Sequence, residues 1–187
     1  MTTNNKKGYT LIEVLLVTAF TFLTSAITYT IYDKATETAN VQKESERLWR
    51  MSRLISNSLG AVADYKGLTN QTFIQALAPI SQVAKGAPAL DPDQIDPNSP
   101  YRLVNAWGTD LVLGSTANGM GFVFTEKDIP IAACAKLAPK MANLADVIIV
   151  NGITVKDATQ GVQVSNLASA CGLKDVAQVD LHVYKGY

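Results

Sequence analysis

Between Tyr9 and Leu59 the chain has neither glycine nor proline, although its 187 residues include 12 and 7 of them. The two residues that most readily stop or kink a helix are missing from that stretch, so one helix could run its length, ~76 Å at ~1.5 Å per residue. Charge is missing from its first part. From Tyr9 to Tyr32 the only ionisable groups are the carboxylate of Glu13 and the phenols of Tyr9, Tyr29 and Tyr32. Histidine is almost absent, with His182 alone, and the two cysteines, Cys134 and Cys171, do not form a Cys-x-x-Cys motif. The glycines at 114, 119 and 121 are followed by no Lys-Ser/Thr pair, which excludes a phosphate loop. With no nucleophile–base motif either, the sequence predicts no catalytic residue, no metal site and no cofactor, hence not an enzyme. A charge imbalance is lacking too. Its 16 basic and 16 acidic side chains leave no basic field to attract nucleic acid. No second apolar stretch reaches membrane length, so the chain does not read as a multi-span protein.

What is present begins with Lys6-Lys7-Gly8 and the apolar run behind it. A helix needs ~20 apolar residues to cross a bilayer, and Tyr9 to Tyr32 is long enough. Lys6 and Lys7 mark its N-terminal end as cytoplasmic. A carboxylate at membrane depth costs ~2.5–3.5 kcal/mol on insertion scales, so Glu13 needs a partner or a route to the interface. Two ordinary readings compete here. A secretory signal peptide has similar basic and apolar regions, with Thr24-Ser25-Ala26 as its cleavage site. Glu13 opposes that reading, because a carboxylate in the apolar region hinders insertion and has no use in a discarded peptide. A plain N-terminal anchor would let Glu13 snorkel.

The short basic leader, the Gly8–Tyr9 junction, Thr10-Leu11-Ile12-Glu13 and the apolar helix, in that order, resemble a type IV prepilin. The resemblance implies that residues 1–8 are a leader, that a prepilin peptidase cuts after Gly8 and N-methylates Tyr9, and that Glu13 becomes the fifth mature residue. It implies a precursor held in the inner membrane, then drawn by pilus assembly machinery into a homo-oligomeric helical filament on a Gram-negative surface. There Glu13 would face the positive N-terminus of a neighbour. A buried charge that loses its partner costs ~3–5 kcal/mol, enough to enforce register between subunits. Removing the leader deletes two of the 16 basic side chains and leaves an excess of two acidic ones.

Beyond the membrane segment the chain is long enough for one domain with a core. Leu48, Met51, Ile55 and Leu59 recur at intervals of three or four, a face suited to packing on a domain. Lys43, Glu44, Glu46, Arg47, Arg50 and Arg53 are expected on a solvated face, with Glu46 and Arg50 as an i,i+4 pair, and Gly60 offers a stop. Residues 71–83 read as a half-buried helix through Phe73, Ile74, Leu77 and Ile80. Prolines 88, 92, 97 and 100 make 86–100 a loop unable to join a sheet interior. Its Asp91, Asp93 and Asp96 raise the question of calcium, but they lack the EF-hand spacing and glycine, and solvated turn chemistry is the expectation. Strand patterns follow at 101–104, 111–113 and 121–124, with Asn118-Gly119 as a turn. A hairpin is expected around Asn151-Gly152, and a last strand at 176–184 with His182 on its polar face. Short helices are expected over 131–144, after Pro130, and over 165–170. Both cysteines follow the membrane segment and so reach the oxidising side. That favours a Cys134–Cys171 bridge, ~4 kcal/mol by the chain-entropy estimate, with two reduced thiols as the alternative.

The fold class expected is therefore α+β. A long N-terminal helix (9–59, its membrane part 9–32) packs on an antiparallel β-sheet head (60–187) with a C-terminal disulfide region. Asn105-Ala106-Trp107-Gly108, Ile129-Pro130 leading into Cys134, and Val150-Asn151-Gly152 with Cys171 beyond it are similar in order to the head of b-subclass type IV pilins. That subclass builds bundle-forming, colonisation and conjugative thin pili. Tyr9 departs from its usual aliphatic first residue, and the leader is shorter than is usual there. The resemblance implies a major or minor structural subunit, not an enzyme, whose pilus serves adhesion, aggregation or conjugation and meets a host-cell or recipient-cell surface. The other readings are a type II secretion pseudopilin and a membrane-anchored periplasmic enzyme or binding protein.

Overall fold

A computed structural model of the chain describes residues 10–59, 64–77 and 90–184. It divides into two units, Met1–Thr38 and Ala39–Tyr187. Helix α1, Leu11–Leu59, belongs to both.

In the first unit, residues 11–32 of α1 carry large apolar side chains on every side, and past Glu13 charge returns only with Asp33, Lys34 and Glu37. Helix α1 is the one helix among the described residues long and apolar enough to cross a membrane. Those large side chains are exposed, from 53% at Val14 to 79% at Leu11. The serine and threonine hydroxyls are closed within the helix itself. The hydroxyls of Thr18, Thr21, Thr24 and Thr28 each donate to a carbonyl three or four residues back. A helix whose backbone and hydroxyls are both satisfied internally can enter a medium without water.

In the second unit, Val41, Leu48, Met51 and Ile55 of α1 join the core and are fully or almost fully buried. Burying each such side chain stabilises by ~1.5–3 kcal/mol. The rest of the unit is built in chain order. Helix α2 (Asn70–Thr72) continues as a π-helical turn (Phe73–Leu77), and a 3-10 turn (Pro92–Gln94) leads into β1 (Ile95–Asp96). Then come β2 (Ser99–Val104), β3 (Asp110–Ser115), β4 (Gly121–Pro130), α3 (Ile131–Met141), β5 (Val147–Val150), β6 (Ile153–Lys156), α4 (Val164–Cys171) and β7 (Val176–Tyr184). The strands form one antiparallel sheet in the order β1-β2-β3-β4-β7-β5-β6. This is the α+β arrangement expected.

Period-two alternation sets the inner face. Ala177, Val179, Leu181 and Val183 of β7 are buried, as are Phe122, Phe124 and Glu126 of β4. A bulge then breaks the alternation. Glu126 pairs with Val179 and Ile129 with Ala177, so β4 holds one extra residue, and Asp128 takes φ 52°. The bulge turns Asp128 outward and returns Ile129 to the core. At the β5–β6 turn Asn151 and Gly152 both have positive φ, 48° and 82°, as a two-residue type I′ hairpin requires. Gly121 is needed for a different reason. A Cβ there would lie 2.3 Å from the carbonyl oxygen of Val183 on the neighbouring strand.

Two expectations are corrected. The proline-rich segment was expected to be loop throughout, yet β1 and the start of β2, including Pro100, lie within it. β1 is the edge strand, and β2 pairs with β3 only at Leu103 and Val104, so the missing N–H of Pro100 breaks no bond to β3. The charged face of α1 was expected in solvent, yet Glu44 and Arg47 are 0% and 1% exposed. Gly60, Ile80 and residues 78–83 of the expected second helix lie outside the described residues.

Candidate functional site

Glu13 lies in the first turn of α1, and its carboxylate folds back on the helix end. The Thr10 N–H donates to Glu13 Oε2 at 2.9 Å, and the Glu13 N–H donates to Thr10 Oγ1 at 3.3 Å. This reciprocal pair is a capping box. It satisfies two backbone donors that a helix start leaves orphaned, and it sets a negative charge at the positive end of the helix dipole. The signal was visible in the sequence as Thr-x-x-Glu ahead of an apolar run. Gly8 and Tyr9, the expected cleavage junction, lie outside the described residues.

A second constellation fastens α1 to the segment before β1. Arg47 is buried because carboxylates surround its guanidinium. Its Nε donates to Asp91 Oδ2 at 3.1 Å, its Nη2 donates to Asp93, and its Nη1 lies 3.6 Å from Glu44 Oε2. Arg50 donates to Asp91 at 2.8 Å instead of pairing with Glu46, and Lys43 bonds Asp93. Partial burial pushes Asp91 up, but the hydrogen bonds from Arg50 and Arg47 outweigh it and hold that carboxyl below its usual value. The Lys43 hydrogen bond does the same for Asp93. Asp96 turns to Arg102 at 2.5 Å, so the three aspartates do not converge on a common centre. No metal-holding cluster occurs among the described residues.

Sequence reasoning did not foresee what the head motifs hold. Asn105 is buried, and its Oδ1 accepts from the N–H groups of Trp107 and Thr109 at 3.0 and 3.1 Å. Its Nδ2 donates to the Lys127 carbonyl on the bulge at 3.2 Å. One side chain thereby shapes the 105–109 turn and ties it to β4. The Ala106 N–H of that turn donates to Glu44 Oε2 at 2.6 Å, which joins it to α1 as well. Asn151 acts similarly. It donates to the Ala170 carbonyl on α4 and accepts from the Gln178 N–H on β7, at 2.9 and 3.0 Å.

Cys134 on α3 and Cys171 on α4 form a disulfide, with Cα atoms 6.0 Å apart and both residues buried. The covalent loop encloses the β5–β6 hairpin, so the last third of the sheet and both short helices are tied at one point.

A long helix, an antiparallel sheet in its second unit and a disulfide across the C-terminal region together define the type IV pilin fold. The solved structure of TcpA, a type IV pilin from Vibrio cholerae El Tor biotype, superposes with a TM-score of 0.54 at 13% identity, over 77% of this chain and 98% of that one. A type IV b pilin from Salmonella typhi superposes with a TM-score of 0.50 at 22% identity, over 78% and 99%. No curated protein matches the chain in sequence. The PilS N-terminal family pattern, however, matches residues 35–182, and the chain belongs to the PilS family. Family and fold make it a structural subunit of a type IV pilus.

Proposed function

We propose that the chain is made as an inner-membrane precursor, cut after Gly8 by a prepilin peptidase, methylated on Tyr9 and polymerised through α1 into an extracellular filament. The observation that carries this reading is the described part of the first unit. Its residues 11–32, with large apolar side chains exposed on every side, need an apolar environment around them. Lipid supplies that before assembly, and neighbouring α1 helices supply it afterwards. Extraction by the assembly machinery therefore exchanges one apolar medium for another and need not expose the helix to water. Glu13 serves there as the charge partner of the neighbouring subunit's N-terminal amine. The disulfide-tied head forms the outer surface, where contacts with a host or recipient cell for adhesion, aggregation or conjugation would be made. Residues 1–8, 9–59 and 60–187 are accordingly leader, assembly helix and head.

Mass spectrometry of the mature N-terminus, with electron microscopy of sheared surface material probed for this chain, tests the proposal. The expected result is an N-methylated Tyr9 in chains recovered from filaments. A mature chain starting at Ile27 would point to an ordinary signal peptide and sink it.

A further inference from the structure

Glu126 stands apart from every other carboxyl group of the head. It sits on β4 just before the bulge, is fully buried, and neither of its oxygens has a formed hydrogen bond. Glu44, equally buried, faces it from α1 within side-chain hydrogen-bonding reach. Glu44 Oε2 is already engaged by the Ala106 N–H, with Arg47 at 3.6 Å, whereas its Oε1 has no partner. As carboxylates both groups can only accept, so neither can satisfy the other's unpaired oxygens. Two carboxylates so placed repel each other, while a single proton turns the contact into an O–H···O hydrogen bond.

The surrounding charges agree. Lys43, Arg47 and Arg50 face Glu44, Asp91 and Asp93, three cations against three carboxylates. Arg47 is committed to Glu44 and the two aspartates, and the aspartates reach the pair only through it. The 105–109 turn contributes the neutral amide of Asn105 and the Ala106 N–H. Among the described residues Glu126 enters no ion pair, and the favourable field of Arg47 and the Asn105 amide are outweighed by burial and by the charge of Glu44.

We propose that Glu44 and Glu126 form a buried proton-binding site, which holds one proton between the two carboxyls at neutral pH and thereby joins α1 to β4. The inference does not depend on cleavage or on filament assembly. Burial, and then the charge of Glu44, raise the Glu126 carboxyl well above its usual 4.5. The folded chain therefore keeps a proton that the unfolded chain gives up. Stability falls with rising pH wherever the unfolded state binds fewer protons. The contribution is complete below 4.5 and is lost as pH rises through the folded value. For one proton, the unfolding equilibrium shifts by up to tenfold per pH unit across that window (about 1.36 kcal/mol per unit).

Denaturant titrations of the full-length, disulfide-intact chain in neutral detergent, repeated from mildly acidic to mildly alkaline pH, read this slope. The wild type should lose stability as pH rises, and Glu126→Gln should remove that loss. Its amide can donate to Glu44 but carries no titrating proton. At neutral pH the wild type should also show the infrared carbonyl band of a protonated carboxylic acid, absent from Glu126→Gln. Equal slopes in the two proteins would overturn the proposal. So would a wild type without the acid band, and that measurement decides the question even if the variant does not fold.

Discussion

Within the one helix α1, Leu11 and Phe22 are 79% and 77% exposed, whereas Glu44 and Arg47 are more deeply buried than Trp49 or Leu59. Side-chain polarity alone would assign these residues the other way round. The difference lies in where each stretch finds its partners. In the first unit the hydroxyls bond carbonyls of their own helix, and Glu13 bonds the helix start. In the second, Arg47 reaches Asp91 and Asp93, more than 40 residues on, and Glu44 reaches Ala106, 62 residues on. The first kind of satisfaction survives in any apolar medium. The second exists only when the head is folded.

Arg47→Ala should break the distant network most severely. It leaves Glu44 buried without its cation and removes the main hold on the 91–93 segment, a loss of ~3–5 kcal/mol. Denaturant unfolding of the full-length chain in detergent measures it, with Arg53→Ala as the control. Arg53 is exposed on the same helix, and its loss should change stability by ~0.5 kcal/mol or less. Equal effects would erase the contrast between buried and solvated charge. Cys134→Ser comes next, at up to ~4 kcal/mol, because the bridge joins residues of the unfolded chain at a sequence separation of 37. The expected phenotype is a processed but degraded subunit, read by immunoblot of membrane and surface fractions. Undiminished levels and an unchanged unfolding midpoint would contradict it.

Features carried by local pattern were legible beforehand. The glycine- and proline-free stretch gave one helix, alternation at 176–184 gave β7, and Asn151-Gly152 gave the hairpin. The burial of Glu44 and Arg47 was not legible, because they belong to a run of charged residues, Lys43 to Arg53, of the kind that usually forms a solvated face. Their real partners lie in a turn and a loop whose approach depends on the whole sheet. Glu126 was hidden for a related reason. It sits where alternation in β4 points inward, but only the bulge two residues later lets both it and Ile129 face the core. Glu13 was noticed for its cost in a membrane, while its Thr10 partner went unread although the capping spacing was in plain view.

The acid limb of the stability profile separates the surface part of the network from its core. Asp91 and Asp93 are held below their usual 3.8, so the unfolded chain binds protons there more readily than the folded one. Their contribution is present above 3.8 and should be lost as pH falls through the lower folded values. Asp93 is more than half exposed, so its share is screened and should shrink further as salt is raised. Circular dichroism during acid titration should show Asp91→Asn flattening this limb more than Asp93→Asn. The reverse order would mean that the exposed Lys43–Asp93 contact outweighs the Arg50–Asp91 one, since Arg47 bonds both aspartates.

The smallest effect, and the one that best separates two roles for one side chain, is expected at Thr10. Thr10→Val removes the hydroxyl that accepts from the Glu13 N–H but leaves the carboxylate in place, so it should destabilise the helix start by ~1 kcal/mol. Glu13→Ala removes the carboxylate itself, and Glu13→Gln keeps a neutral acceptor at the same position. If Glu13 acts only as a cap, all three variants should form filaments in nearly normal number. If it pairs with a neighbouring amine, Thr10→Val should still assemble, whereas Glu13→Ala and Glu13→Gln should accumulate as cleaved subunits in the membrane and yield few or no filaments. Removing the charge also makes insertion easier, so a failure to assemble could not be blamed on the membrane step. Counting sheared filaments by electron microscopy, beside immunoblots of the membrane fraction, distinguishes the two roles. Normal filaments from Glu13→Gln alone would leave the capping box as the whole reason for this carboxylate.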